Sequence, residues 1–236
     1  LLSSTGAKFQ NIGLLTLSTD GEFSSRLVSY ADLKPDAQVQ AYVAGVKEKT
    51  LAEGKRIVGH CDVDLPIVDA SGAMNVRCRE MPIGNFCADA FRLMLNADVA
   101  MINGGGIRAG LTSGEVTFND LLAVFPFSNT ACTATLTGQQ LLDALEMSVR
   151  FVPDMDGSFM QVSGMTFEVD PSVPSPVVLD EYSLFSHVSP APRRVSHLYI
   201  WDKTQGAYVP VDTDRTYVLA SFDYQLKEFG NSAVFR

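Results

Sequence analysis

The chain has 236 residues, of which 46% are apolar and 19% charged. That is enough apolar material for a substantial core, and it excludes a disordered chain. The formal net charge of −9 excludes nucleic acid or an acidic membrane as a partner bound through the overall field. No apolar run approaches the ~20 residues of a membrane span. Cys61, Cys78, Cys87 and Cys132 form no CxxC pair, so no structural zinc site is expected, while free thiols and one disulfide both stay open.

The chain opens on "LLSSTGAKFQNIGLLTL", which reads as a stretch inside a longer polypeptide. Residues 11–33 alternate around "TDGE" and predict a hairpin. A helix follows, with Pro35 at its first position and Asp36 in its first turn. Val39, Tyr42, Val43 and Val46 then share one face. "RIVGHCDVDL" predicts a strand. "GNFCADAFRLMLNAD" predicts a second helix, capped by Asn85, with Phe86, Ala90, Leu93 and Met94 along one face.

"ADVAMI" predicts a short buried strand running into three glycines. A third helix is expected after Asn119, carrying Leu121, Leu122 and Phe125. "ACTATLT" alternates like a strand, and "TGQQLLDALEMSV" predicts a fourth helix with Leu141, Leu142 and Leu145 inward. The last third reads as β, in "FMQVSGMTFEVD", "RVSHLYIWD" and "TYVLASF". Five prolines between Pro171 and Pro192 predict an exposed loop. Helices and strands mix without strict alternation, which places the fold in the α+β class.

"NGGGIR" matches neither the spaced glycines of a dinucleotide fold nor a phosphate loop. Alone, a triple glycine is most simply a turn. Its neighbours carry more chemistry. Asn103 offers a donor and an acceptor beside bare backbone at Gly105. Arg108 offers a planar fork of donors suited to phosphate or a ribose edge. In "NVRCRE", Arg77 and Arg79 are two residues apart and on a strand would point the same way. Phe127 follows Pro126 on one loop and Tyr224 lies on another, and two such rings can sandwich a nucleobase. Ordinary packing and solvated surface charge are the competing readings of each residue taken singly.

In order, "RCREMPIGNFCADAFR", "INGGGIRAG", "SGEVTFNDLLAVFPFSN", "LTGQQLLDALE" and "FMQVSGMTFEVD" resemble the C-terminal domain of the 5'-nucleotidase family. That family includes bacterial periplasmic 5'-nucleotidases, UDP-sugar hydrolases and animal ecto-5'-nucleotidases. The resemblance covers residues 34–236, with residues 1–33 as the trailing end of a catalytic domain and the start of a linker. It implies an α+β domain of mixed β-sheets with helices packed on their outer faces.

It further implies a nucleoside- or nucleotide-binding specificity domain, whose partner is an N-terminal metallophosphatase domain of the same polypeptide holding two divalent metal ions. Arg77, Arg79, Asn103, Gly105, Arg108 and Phe127 match the family's nucleotide contacts. The second ring departs from the pattern: in "DYQLKEFGNS" a one-residue insertion puts Tyr224 at the stacking position, with Phe222 competing. Asn231 stands in place of an aspartate that bonds ribose hydroxyls. The resemblance also implies a periplasmic or cell-surface location. Hydrolases of 2',3'-cyclic nucleotides or UDP-sugars, and a stand-alone nucleoside-binding module, are the alternative readings. With three histidines, His60, His187 and His197, none in a metallophosphatase motif, this chain is expected to hold no catalytic metal and to be inactive alone.

Overall fold

The computed structural model describes residues 5, 10–228 and 232–235, and the chain divides into two units, Leu1–Gly54 and Lys55–Arg236. In the first, strands β1 (Asn11–Leu17) and β2 (Phe23–Ser29) form an antiparallel hairpin with Leu17 opposite Phe23. The turn closes with the Ser18 N–H donating to the Glu22 carbonyl at 2.8 Å, and Gly21 takes φ +91°, a conformation glycine adopts without penalty. Helix α1 (Ala37–Gly54) follows. Asp36, rather than sitting in the first turn, caps it: Oδ1 accepts from the N–H groups of Gln38 and Val39 at 2.9 and 3.0 Å. Pro35 therefore precedes the cap instead of opening the helix. Val39, Tyr42, Val43 and Val46 are all exposed.

The second unit runs β3 (Ile57–Cys61), α2 (Pro82–Met94), β4 (Val99–Asn103), β5 (Gly114–Thr117), α3 (Phe118–Val124), β6 (Ala131–Thr137) and α4 (Gly138–Val149). It continues with β7 (Met160–Ser163), β8 (Met165–Val169), β9 (Val177–Leu179), β10 (Phe185–Val188), β11 (Val195–Asp202), β12 (Ala207–Pro210) and β13 (Thr216–Phe222). A four-stranded sheet has the order β6-β13-β4-β7, and a three-stranded sheet the order β12-β11-β8. In the larger sheet β13 pairs parallel with β4 and antiparallel with β6, and β7 runs antiparallel to β4. β3 pairs with β5, and β9 with β10.

Both faces of the larger sheet are covered. Val99, Met101, Tyr217 and Leu219 join Leu141 and Leu145 of α4 in one core. Ala100, Ile102, Ala220 and Phe222 join Ile83, Cys87 and Ala88 of α2 in the other. This explains why β4 reads as a continuous apolar run rather than an alternating one. The architecture is α+β, with a helix on each outer face. All four cysteines are free thiols.

Several sequence expectations are corrected. α2 starts at Pro82, so Asn85 lies inside it rather than capping it. Its buried face is Ile83, Gly84, Cys87 and Ala88, while Phe86, Leu93 and Met94 are exposed. The apolar residues of α2 cover more than half its circumference, so periodicity alone did not choose the inner face. α3 starts at Phe118, because Thr117 and Asp120 form a reciprocal capping box, and Phe125 falls just beyond it. The proline-rich segment contains the β9–β10 hairpin. "FMQVSGMTFEVD" is two strands, broken at Gly164, where φ is +74°.

One buried side chain ties the segment before α2 to the larger sheet. Gln161 on β7 is 1% exposed. Its Nε2 donates to the carbonyl oxygens of Val76 and Arg79 at 2.9 and 2.7 Å, and its Oε1 accepts from the Met81 N–H at 3.1 Å. Gly84 makes room for it, since a Cβ there would lie 2.1 Å from that oxygen. Gln161→Leu keeps the volume but orphans the three partners. It is expected to cost about 3 kcal/mol, at 1–3 kcal/mol per buried unsatisfied group with partial relaxation. Urea denaturation measures this, and a loss below ~0.5 kcal/mol, within surface-mutation scatter, would show that the tie does not hold the segment.

Glu146 on α4 is fully buried. Its Oε1 accepts from the Val195 N–H at 2.9 Å, and its Oε2 makes no hydrogen bond among the described residues. Burial pushes its pKa above the ordinary carboxylate value, against the opposing pull of the Val195 and Arg194 backbone N–H groups and the Arg193 and Arg194 charges. A carboxyl whose folded pKa is raised stabilises the fold below its unfolded pKa and loses that contribution as pH rises through the folded value. The contribution of Glu146 should therefore fall as pH climbs out of the acidic range, so the stability of the wild type relative to Glu146→Gln should fall with it. Thermal melts from pH 4 to 8 test it. Parallel slopes in the two proteins would refute the assignment.

Candidate functional site

The glycine segment follows β4 directly. Gly104–Gly106 form a tight turn anchored to the segment before β7. The Gly104 N–H donates to the Phe159 carbonyl at 2.7 Å and the Gly105 N–H to the Gly157 carbonyl at 3.0 Å. The turn is pressed so closely on the Val76–Arg77 backbone that a Cβ on Gly104 would lie 2.0 Å from the Val76 carbonyl oxygen. The first requirement for glycine here is therefore contact between two stretches of the chain itself. Gly105 and Gly106 face a cavity.

That cavity measures about 320 Å³ and is lined by Asn103, Gly105, Gly106, Phe127, Asn129, Gly157 and Tyr224. Of the sequence candidates, Asn103, Gly105, Phe127 and Tyr224 are thus brought to one place from three separate segments. Asn103, at the end of β4, is 6% exposed, and its Nδ2 donates to the Gly157 carbonyl at 3.1 Å. Its other polar atom, Oδ1, lies on the Gly106 side, 2.9 Å from where a Cβ on that glycine would be.

Phe127 is 53% exposed and Tyr224 40%. Their loops are joined by a reciprocal pair: the Asp223 N–H donates to the Thr130 carbonyl at 2.9 Å, and the Thr130 N–H donates to Asp223 Oδ1 at 2.9 Å. The bond from Thr130 holds the Asp223 carboxyl below its ordinary pKa, with help from the Tyr224 N–H and Lys227. The clasp therefore persists into mildly acidic solution and loosens as pH falls through that lowered value.

Phe222 and Tyr224 are separated by their environments. Phe222 is 3% exposed. It meets Phe91 and Phe125 edge-on, with ring centroids 4.7 and 5.3 Å apart, beneath the glycine turn. Tyr224 opens a π-helical turn, Tyr224–Glu228, and is the ring at the cavity.

The arginines part company. Arg108 is exposed beside the turn, its Nη1 donating to the Gly105 carbonyl at 3.2 Å. Arg77 sits in a tight turn, Asn75–Arg77, not on a strand. Its carbonyl accepts from the Asp156 N–H at 3.0 Å, next to the cavity residue Gly157, and its Nε is buried without a partner among the described residues. Arg79 instead lines a second, separate cavity. Asn231 lies outside the described residues. Sequence reasoning passed over Asn129 and Gly157. The signal for Asn129 was its place in the same "PFSN" loop as Phe127. Gly157, in "DMDGSF", carried none. Among the described residues, no group of three or more His, Cys, Asp or Glu is placed to hold a metal ion.

Comparison with known proteins identifies the family. The family described as "5'-nucleotidase, C-terminal domain" matches residues 57–236. The chain is 34% identical over 171 residues to the trifunctional nucleotide phosphoesterase protein YfkN of Bacillus subtilis (strain 168), covering 71% of this chain and 10% of that protein. It is 28% identical over 158 residues to the 5'-nucleotidase of Vibrio vulnificus (strain CMCP6), covering 65% and 27% respectively. A solved structure of a 5'-nucleotidase precursor from Thermus thermophilus superposes with a TM-score of 0.68 at 25% identity, covering 96% of this chain and 42% of that one. The chain spans less than half the length of each of these proteins. It belongs to the family of 5'-nucleotidase C-terminal domains.

Proposed function

We propose that this chain is the nucleoside-recognising domain of a two-domain, metal-dependent 5'-nucleotidase, which converts nucleoside 5'-monophosphates to nucleoside and phosphate. The observation that carries the reading is the pair of exposed rings, Phe127 and Tyr224, lining one cavity floored by the glycine turn. Exposed rings on two clasped loops suit the two π-faces of a base. Stacking of this kind contributes ~1–3 kcal/mol per base.

Asn103 supports the same reading, because its donor is committed to Gly157 and its oxygen is left for a ligand N–H or O–H. Arg108 and Arg77 supply guanidinium donors for ribose or phosphate oxygens, and the orphaned Nε of Arg77 fits a partner of that kind. The chain's own part is then to bind and orient the nucleotide. Asn231 is proposed as a ribose contact. Two divalent ions, which activate water for attack on phosphorus when bound, are assigned to an N-terminal metallophosphatase domain of the same polypeptide, reached from residues 1–33. A periplasmic or cell-surface location belongs to the same proposal. Among the described residues, no helix is long and apolar enough to cross a membrane.

The relative named a trifunctional nucleotide phosphoesterase favours a second reading, in which the full protein also accepts other nucleotide phosphoesters. Assays of the full-length protein on AMP and on 2',3'-cyclic AMP separate the two.

Phe127→Ala should weaken adenosine or AMP binding by about 1–3 kcal/mol with the melting temperature unchanged. Calorimetric titration checks it, and an unchanged affinity removes the sandwich. Arg108→Ala should raise the KM for AMP in the full-length enzyme, and a variant with wild-type kinetics would end that role. Asp223→Ala should weaken nucleoside binding about threefold to tenfold, as expected for the loss of one net hydrogen bond of about 1 kcal/mol. Asp223→Asn, which keeps an acceptor, should restore most of it. Equal affinities in all three proteins would mean that the clasp does not position the rings.

A further inference from the structure

The larger cavity of the second unit is not the one that holds the rings. It measures about 480 Å³ and lies along β7 and β8, the strands at the edges of their two sheets. That volume falls within the range of small-molecule sites, which are mostly apolar with a few placed polar groups. One wall is apolar, formed by Phe159, Met160, Met165, Phe167 and Tyr208. The other is polar, with Arg79 and Glu80 just before α2 and Asn85 and Asp89 within it.

The polar wall contains one charged side chain that makes no hydrogen bond among the described residues. Asn85 Nδ2 donates to Glu80 Oε1 at 2.6 Å. Asp89 accepts from the Ser163 hydroxyl and lies 3.9 Å from the Arg92 guanidinium, whose Nε donates to that same hydroxyl at 2.6 Å. Both carboxylates therefore already have partners. The Arg79 guanidinium makes no hydrogen bond or ion pair among the described residues, while its backbone carbonyl is fixed by Gln161 at 2.7 Å. The cavity thus offers five unused guanidinium donors beside an aromatic and thioether wall.

We propose that this cavity is a second binding site, for an amphipathic organic anion: a ring or short apolar chain seated on Phe159, Met165 and Phe167, and a carboxylate or sulfonate held by Arg79. The site is independent of the nucleoside reading, because none of its lining residues lines the ring-bearing cavity. Charge-assisted pairing of a planar guanidinium with such an oxyanion is the interaction Arg makes best.

Two fluorescent probes of similar shape test it: 8-anilinonaphthalene-1-sulfonate, which is anionic, and N-phenyl-1-naphthylamine, which is not. The chain should bind the sulfonate saturably, and Arg79→Gln should weaken that binding about tenfold, the equivalent of one lost charge-assisted contact, while leaving the uncharged probe unaffected. Thr166→Trp, at an exposed rim position, should block both probes. Phe127→Ala and added AMP should change neither, and thermal melts confirm that each variant is folded. The proposal is overturned if the sulfonate fails to saturate, if Arg79→Gln binds it as wild type does, or if AMP or Phe127→Ala abolishes the binding, which would place the probe in the nucleoside cavity.

Discussion

A single buried amide organises the part of the molecule that carries both cavities. Gln161 stands on β7, an edge of the four-stranded sheet, and holds the backbone of Val76, Arg79 and Met81 at once. A buried primary amide with its oxygen and both its donors engaged is worth more than its parts, because each unmade bond would leave a desolvated polar group behind. Through it the irregular stretch before α2 is held to the sheet as firmly as if it were a strand. The Asn75–Arg77 turn then backs the glycine turn, and α2 starts where its buried face meets the sheet. The same clamp fixes the backbone on either side of Arg77, at Val76 and at Arg79, and Arg79 lines the larger cavity.

The ring-bearing cavity is assembled from pieces distant in sequence. Asn103 and the glycines come off the end of a central strand, Phe127 from the loop after α3, Gly157 from the turn before β7 and Tyr224 from the end of β13. Loops are poor at holding a geometry on their own, since ordering each residue costs conformational entropy. Two of these loops are therefore bound to each other, through Thr130 and Asp223. Phe125 and Phe222, each two residues before one of the exposed rings, pack edge-on with Phe91.

Much of this was legible beforehand. Central strands covered on both faces announce themselves as unbroken apolar runs, as "ADVAMI" does. Helix α4 carried its inward leucines in one recognisable pattern. The order of motifs from "RCREMP" to "FMQVSG" pointed to the family. What the sequence left open has physical causes. The apolar residues of α2 exceed what one face can bury, so Phe86, Leu93 and Met94 were indistinguishable from Ile83 and Cys87. The hairpin between Pro171 and Pro192 was hidden by residues that usually punctuate loops. Arg79 has the same local chemistry as Arg77, and the Asn75–Arg77 turn, which breaks strand alternation, leaves only Arg79 lining the larger cavity. Glu146 and Gln161 were invisible as buried groups because their partners are backbone atoms 49 and 80 or more residues away.

The fit between Gly84 and Gln161 has an evolutionary consequence. With a Cβ on residue 84 falling 2.1 Å from the glutamine's amide oxygen, the two positions cannot drift independently. Any side chain at 84 requires a shorter one at 161, and a shorter one at 161 leaves the backbone before α2 with nothing to bind. The pair therefore acts as a ratchet: once glycine and glutamine are in place, single substitutions lead downhill from both sides, and descendants of this chain should keep or lose the two together.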